Sequence, residues 1–245
     1  MPVIDPEAIH AARQQLRVAL AEALHEEYSQ HYQDCNDTGP YRNDAASIAK
    51  RSLKNTCLAY LAQRQGSASI TLISYQFETA NNMTDTIAAL SLLCDLGGPT
   101  RDHALQTFYK KWSQDALVVN KWLRVQAAST QADTLERIQG LITHPAFNIR
   151  NPNKVRALFG TFAHGNSLRF HESSGKAYHW LAEQVLQLDK LNPQIAARLV
   201  SAFNHWRRYD DHRQSLIRKE LEKILSTAEL SPDVREITSK SLGPK

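Results

Sequence analysis

At residues 151–165 the chain reads N-P-N-K-V-R-A-L-F-G-T-F-A-H-G, and at residues 192–198 it reads N-P-Q-I-A-A-R. In each stretch Asn followed by Pro starts a helix. The Asn side chain caps the first free N–H groups, and Pro at the first helical position has no N–H to leave unpaired. Each start is followed about one turn later by an arginine, Arg156 or Arg198. A guanidinium near a helix N-terminus faces the positive end of the dipole and gains nothing from it, so something else is expected to hold each arginine there.

On the helix that begins at Pro193, Ile195, Leu199, Phe203 and Trp206 make an apolar stripe that carries the helix to Trp206. Gln194 and Arg198, four residues apart, flank that stripe on one side and face a groove or the edge of a cavity. Arg156 sits comparably on its own helix, beside Leu158 and Phe159. Read from the residues alone, the alternative is that both arginines pair with local carboxylates or helix ends.

Working outward, the same pattern recurs. Asp5-Pro6 starts a helix in which Ile9, Leu16, Leu20 and Leu24 repeat at helical spacing, and a second runs from about Asp44 with Ile48, Leu53, Cys57 and Leu61 on one face. Residues 67–77 read as a further helix, although residues 70–73 alone also suit a strand. Thr84 caps the next, in which Ile87, Leu90 and Cys94 share a face, and Gly97-Gly98-Pro99 stops it. Helices then follow over residues 101–112, 116–127, 135–141, 152–163, 176–188, 193–206, 212–225 and 232–242. Tyr178, Leu181, Val185 and Leu188 form one stripe, and Ile217, Leu221 and Ile224 another.

About a dozen short amphipathic helices joined by brief polar turns must bury their stripes on neighbours. The expected fold is therefore all-α, an irregular α-solenoid-like array of antiparallel helix hairpins, with no fixed sequence period. No linker rich in Pro, Gly or Ser interrupts the chain, so residues 1–245 are expected to form one domain.

The 245 residues suffice for a core that hides roughly 70–75% of the unfolded surface. Basic and acidic residues number 29 and 25, and the basic pairs Lys50-Arg51, Lys110-Lys111 and Arg207-Arg208 lie scattered with acids between them. That is a solvated surface, not a nucleic-acid footprint. Cys35, Cys57 and Cys94 lack metal-site spacing, and Cys57 and Cys94 fall in apolar helical patterns, which points to a reducing compartment. No segment approaches 18 continuous apolar residues, and M-P-V-I-D-P-E lacks the regions of a signal peptide. The expectation is a cytoplasmic chain without membrane or nucleic-acid partners.

Motifs for chemistry are absent. His25 and His31 flank two glutamates but are six residues apart, which on a helix places them roughly 240° apart around the axis, too far to chelate one ion. His164, His171 and His179 with Glu172 have spacings of seven and eight that match no metal site. Ser173-Ser174-Gly175-Lys176 resembles the end of a phosphate loop, yet Phe170 stands where its first glycine belongs and Ala177 where a hydroxyl residue would hold magnesium. No nucleophile motif occurs, so no catalytic or metal-binding residue and no bound cofactor is assigned.

Several further motifs carry a resemblance: Glu78-Thr79-Ala80-Asn81-Asn82-Met83-Thr84-Asp85, Lys121-Trp122, residues 151–165, Phe170-His171-Glu172, residues 192–198 and Arg208-Tyr209-Asp210. With these in order, the chain resembles the C-terminal helical domain of bacterial aminopeptidase N, of the gluzincin family of zinc metallopeptidases. The likeness is clearest over residues 75–214, and Pro40-Tyr41-Arg42 with residues 48–61 extends it.

The resemblance implies a helical domain that packs over a catalytic domain of the same polypeptide and closes a chamber around its zinc, so that peptides are trimmed one residue at a time. The family's metal and G-A-M-E-N motifs belong to the catalytic part and do not occur here. It also implies that Arg156, Gln194 and Arg198 line the chamber near the peptide substrate. Guanidinium and amide donors on a concave wall suit that role. The alternative of a different class is a free-standing helical scaffold that binds another protein on its concave face. An in-frame H-E-x-x-H upstream in the DNA supports the enzyme; a promoter and stop codon there support the scaffold.

Overall fold

Helices and short connections make up the computed structural model, which describes residues 3–37, 39–64 and 66–243; no strand occurs among them. In chain order the elements are α1 (Pro6–Ala23), α2 (His25–Asp34), α3 (Ala45–Leu61), α4 (Ser67–Thr79), α5 (Met83–Leu96), α6 (Gly98–Trp112), α7 (Ala116–Ala128) and α8 (Thr134–Leu141). Next comes a continuous helical run composed of α9 (Pro152–Val155), a π-helical turn (Arg156–Gly160) and α10 (Thr161–Gly165). After α11 (Ser167–Phe170), α12 (Lys176–Asp189) and α13 (Pro193–Val200) come the 3₁₀ turns Ser201–Phe203 and Trp206–Arg208, then α14 (Asp211–Leu225) and α15 (Pro232–Leu242). The expected all-α array of packed helices is what forms, and residues 67–77 are helical. Among the described residues no helix is long and apolar enough to cross a membrane.

The chain divides into two compact units, one formed by residues 9–113 and the other by the described residues of Met1–Ala8 with those of Gln114–Lys245. In the first, α2 packs on α3, α4 on α5, and α5 on both α3 and α6. Cys57, Leu58, Ile73, Leu90, Leu93, Cys94 and Phe108 form its core. Three expectations need correction here. The Ile48–Leu53 stripe does not face the core: these side chains are 50% and 44% exposed. α3 instead turns Lys54 inward, where its ammonium pairs with the buried Asp85 carboxylate at 2.5 Å. Asn55 donates to the same carboxylate at 2.8 Å, and Gln76 donates to Asn55 at 2.8 Å. An apolar count misses such a lysine because buried charges survive only when paired.

The cap of α5 is Asn82, whose side chain accepts the Asp85 N–H at 2.9 Å, so the helix begins before Thr84. The expected N-terminal stripe also breaks. The helix interrupts at Leu24 (φ −117°, ψ 29°), Leu16 and Leu24 are exposed, and Ala21, Tyr32 and Cys35 are the buried positions instead. Gly97, at φ 75°, stops α5 as expected, in a conformation that glycine adopts without penalty.

In the other unit α12 packs on α13 and α14, and α15 packs on α13 and α14. Its centre is aromatic. Phe159 meets Phe147 and Trp180 with ring centroids 5.1 Å apart in each case, and Phe162 meets Trp180 and Phe170 at 5.8 Å. The stripes Tyr178–Leu181–Val185–Leu188 and Ile217–Leu221–Ile224 are buried as expected. Gly175 is no phosphate cradle: at φ 67° it starts α12, and a Cβ there would stand 2.8 Å from Leu216.

A second polar knot lies inside this unit. The His171 ring sits between two hydroxyls, Tyr178 at 3.0 Å on Nδ1 and Tyr209 at 2.9 Å on Nε2. Arg213 donates Nε to the His171 carbonyl at 2.6 Å and Nη1 to Asp210 at 2.6 Å, and it pairs with Glu7 through Nη2. The Ile4 N–H donates to the Arg208 carbonyl at 2.7 Å, so the start of the chain is tied to α14 and the turn before it. Burial pushes His171 down to about 4, and the Arg213 guanidinium adds to the shift.

Candidate functional site

Both Asn-Pro starts form as the residue types dictate. Asn151 accepts the Asn153 N–H at 3.0 Å, and Asn192 accepts the Ile195 N–H at 3.2 Å, with Pro152 and Pro193 at the first helical positions. What the sequence does not show is that the two starts meet. Pro152 and Asn192 line one cavity of about 140 Å³, together with Ile149, Arg150, Leu188, Leu191 and Ile195. The Lys154 ammonium hydrogen-bonds the Ala146 carbonyl and so fastens α9 to the loop that forms one cavity wall. Further along, the His164 ring lies against the Arg198 main chain. The run 152–165 and α13 are therefore neighbours at their starts and again at His164 and Arg198.

The burial pattern decides what this pair of helices presents. Val155, Leu158, Phe159 and Phe162 of the first, and Ile195, Leu199 and Val200 of the second, are buried. Arg156, His164, Gln194 and Arg198 are exposed. Arg156 donates Nη1 to Asn153 at 3.3 Å, a local contact on its own helix, and makes no ion pair among the described residues. The side chains of Gln194 and Arg198 take no hydrogen-bond or ionic partner among them either. No local carboxylate holds either arginine among the described residues, but the helix-end part of the alternative fits Arg198, which lies in the last turn of α13.

Two features differ from the sequence reading. α13 ends at Val200, not Trp206, because the Ser201 hydroxyl donates to the Arg198 carbonyl at 2.7 Å and the chain tightens into 3₁₀ turns. Ile195, Leu199, Phe203 and Trp206 stay buried across that change. With α13 this short, Arg198 falls in its last turn, where the dipole favours a cation. Only Arg156 keeps the placement that looked unfavourable. It opens the π-helical turn, and such turns are frequent at functional sites.

His164 belongs to the histidine group that the sequence offers as metal ligands or as surface and hydrogen-bonding residues, and the hydrogen-bonding reading fits it. The three histidines of that group go to three surroundings: His164 to Arg198, His171 between two tyrosines, and His179 to Glu183 at 3.1 Å and Glu220 at 3.3 Å. Although the His164 side chain reaches solvent, the protein around it pushes it below the usual histidine range. The Arg198 carbonyl counters that shift and the Arg198 guanidinium adds to it. These two helices thus present guanidinium cations and an amide beside an imidazole whose protonated form is disfavoured, donors of the kind that suit carbonyls and carboxylates.

Residues 1–243 match the family described as "Domain of unknown function (DUF3458_C) ARM repeats". The chain is 39% identical to aminopeptidase N of Caulobacter vibrioides and 40% identical to aminopeptidase N of Escherichia coli, in each case over 98% of this chain and 28% of the relative. It therefore spans little more than a quarter of the curated relatives it matches. Among solved structures, aminopeptidase A of Legionella pneumophila in complex with aspartic acid superposes with a TM-score of 0.91, at 34% identity, covering 99% of this chain and 29% of that one. These matches agree with the resemblance drawn from the motifs, and with residues 1–243 matched the chain belongs to the DUF3458_C ARM-repeat family.

Proposed function

We propose that residues 1–245 act as one non-catalytic helical domain of a zinc aminopeptidase, closing the chamber in which N-terminal residues are removed and contacting peptides through Arg156, Gln194 and Arg198. The observation that carries this reading is the pair of neighbouring helices whose inward faces are fully used by the core while two guanidiniums and an amide stay exposed and free of ion pairs. Partners in this reading are the catalytic domain of the same polypeptide and peptide substrates, in the cytoplasm. The similarity to a stretch of aminopeptidase N supports it.

The described residues do not gather into a set that fits a zinc ion. Both His171 nitrogens are engaged by tyrosine hydroxyls, and no group of three or more His, Cys, Asp or Glu side chains gathers among the described residues. Zinc chemistry is therefore assigned to the rest of the polypeptide. The contribution here is to orient: cations on the wall hold peptide carbonyls or carboxylate, and a confined positive potential draws anionic peptide ends inward.

The test is Arg198→Ala in the assembled enzyme. Peptide kcat/KM is expected to fall about tenfold, the loss of roughly one charge-assisted hydrogen bond, while a single-residue aminoacyl reporter that does not reach the groove is cleaved as before. Unchanged peptide kinetics would remove Arg198 from the substrate path.

A further inference from the structure

We infer that the outer face of α1 is an interaction surface for an amphipathic helix, tethered in the same longer polypeptide and continuing the helical array ahead of α1. The inference rests on the reading of this chain as part of a longer polypeptide, not on the arginines, and it names a partner segment which that reading leaves open.

The surface is the first argument. An open groove of about 470 Å³ runs along α1, mostly apolar in its accessible surface and lined by residues of that helix, among them Ala11, Gln15, Val18, Ala19 and Glu22. All belong to the unit of residues 9–113. Steps of three and four residues put them along one side of the helix, the spacing on which a second helix seats its ridges. Among the described residues α1 is not joined closely to any one helix, unlike α2 to α3 or α4 to α5.

Size decides between occupants. A small molecule needs most of its surface enclosed, and the face of one helix encloses little. With 18 residues α1 is about 27 Å long and about 10 Å across, so one face offers on the order of 300 Å². A stable interface between separate proteins takes roughly 800 Å² per partner. A second copy of this chain would be held too weakly there, whereas a helix on the same polypeptide acts at an effective concentration of about millimolar. The logic of the array points the same way. Stacked helical repeats end in caps with polar outer faces, but α1 shows the apolar groove and Leu16, 61% exposed. Consecutive helices pack on one another, and this chain spans only 28% of its aminopeptidase N relatives, which leaves polypeptide to supply the helix.

The experiment is made on the longer polypeptide, with Gln15, which is exposed, replaced by the photo-crosslinker p-benzoylphenylalanine. After irradiation, mass spectrometry is expected to find a crosslink within one chain, to a residue of an amphipathic helical segment N-terminal to α1. A crosslink between two chains, to a non-helical segment or to nothing would overturn the inference and leave the role of the arginines standing. Ala19→Arg, also at an exposed position, serves as a second variant. It should lower the Tm of the longer polypeptide by several degrees and leave that of the 245-residue chain within about 1 °C. Equal shifts in the two would count against a covered groove in the same way. A reading frame that encodes nothing beyond residues 1–245 would overturn both the inference and the reading it rests on.

Discussion

Arg213 and Arg198 lie in the same compact unit and differ in almost every physical respect. Arg213 is 8% exposed and spends its donors on the His171 carbonyl, Asp210 and Glu7. Arg198 is exposed, and its side chain has no partner among the described residues. A cation taken out of water must be paired, so Arg213 belongs to the architecture. A cation left in water without a partner is free to meet a ligand. The contrast separates the residues that hold the fold from those that act on something else.

The comparison breaks most visibly at Arg213. Arg213→Ala removes the common partner of Asp210 and Glu7 and orphans the His171 carbonyl. Loss of one partner from a buried ionic network costs roughly 3–5 kcal/mol, and the lower end applies here because Glu7 and Asp210 are themselves partly exposed. Urea unfolding should show a loss of about 3 kcal/mol. A loss under about 1 kcal/mol would show that the network does not hold the fold.

Acid provides the next largest effect. His171 is held near 4 in the folded chain, mainly by burial, whereas an unfolded histidine titrates near 6.5. The folded pKa is depressed, so this contribution is fully present above about pH 6.5 and is lost as pH falls toward 4. In that window stability should fall by up to about 1.4 kcal/mol per pH unit, and His171→Gln should flatten the slope. An identical slope in the variant would show that other groups carry the acid response.

Much of this fold was legible because its signals are local. Caps such as Asn151 and Asn192, and stripes such as Tyr178–Leu181–Val185–Leu188, depend on residues within a few turns of one another. The misses share a cause, which is a partner distant in sequence. Lys54 displaces Leu53 from the core because Asp85 waits for it, 31 positions later, and the His171 knot needs Glu7 and Arg213 together. Helix ends set by one hydroxyl, as Ser201 sets the end of α13, are equally hard to foresee.

The site was legible in part. Arg156, Gln194 and Arg198 were marked by spacing and by resemblance, and they prove exposed. The cavity between the two Asn-Pro starts and the seat of His164 against Arg198 arise only when residues some 35–40 positions apart are brought side by side. No periodicity encodes that meeting.

The smallest expected change in stability is also the sharpest test of what Arg198 does. Unfolding free energy and tripeptide affinity should be measured together on Arg198→Ala and on Arg213→Ala. Arg198→Ala should stay within about 0.5 kcal/mol of the parent, as an exposed side chain should, while a tripeptide binds about tenfold more weakly. Arg213→Ala should lose stability without loss of affinity in the molecules that remain folded. If Arg198→Ala unfolded the chain by several kcal/mol and left peptide affinity untouched, Arg198 would be a structural residue and the proposed groove would be contradicted.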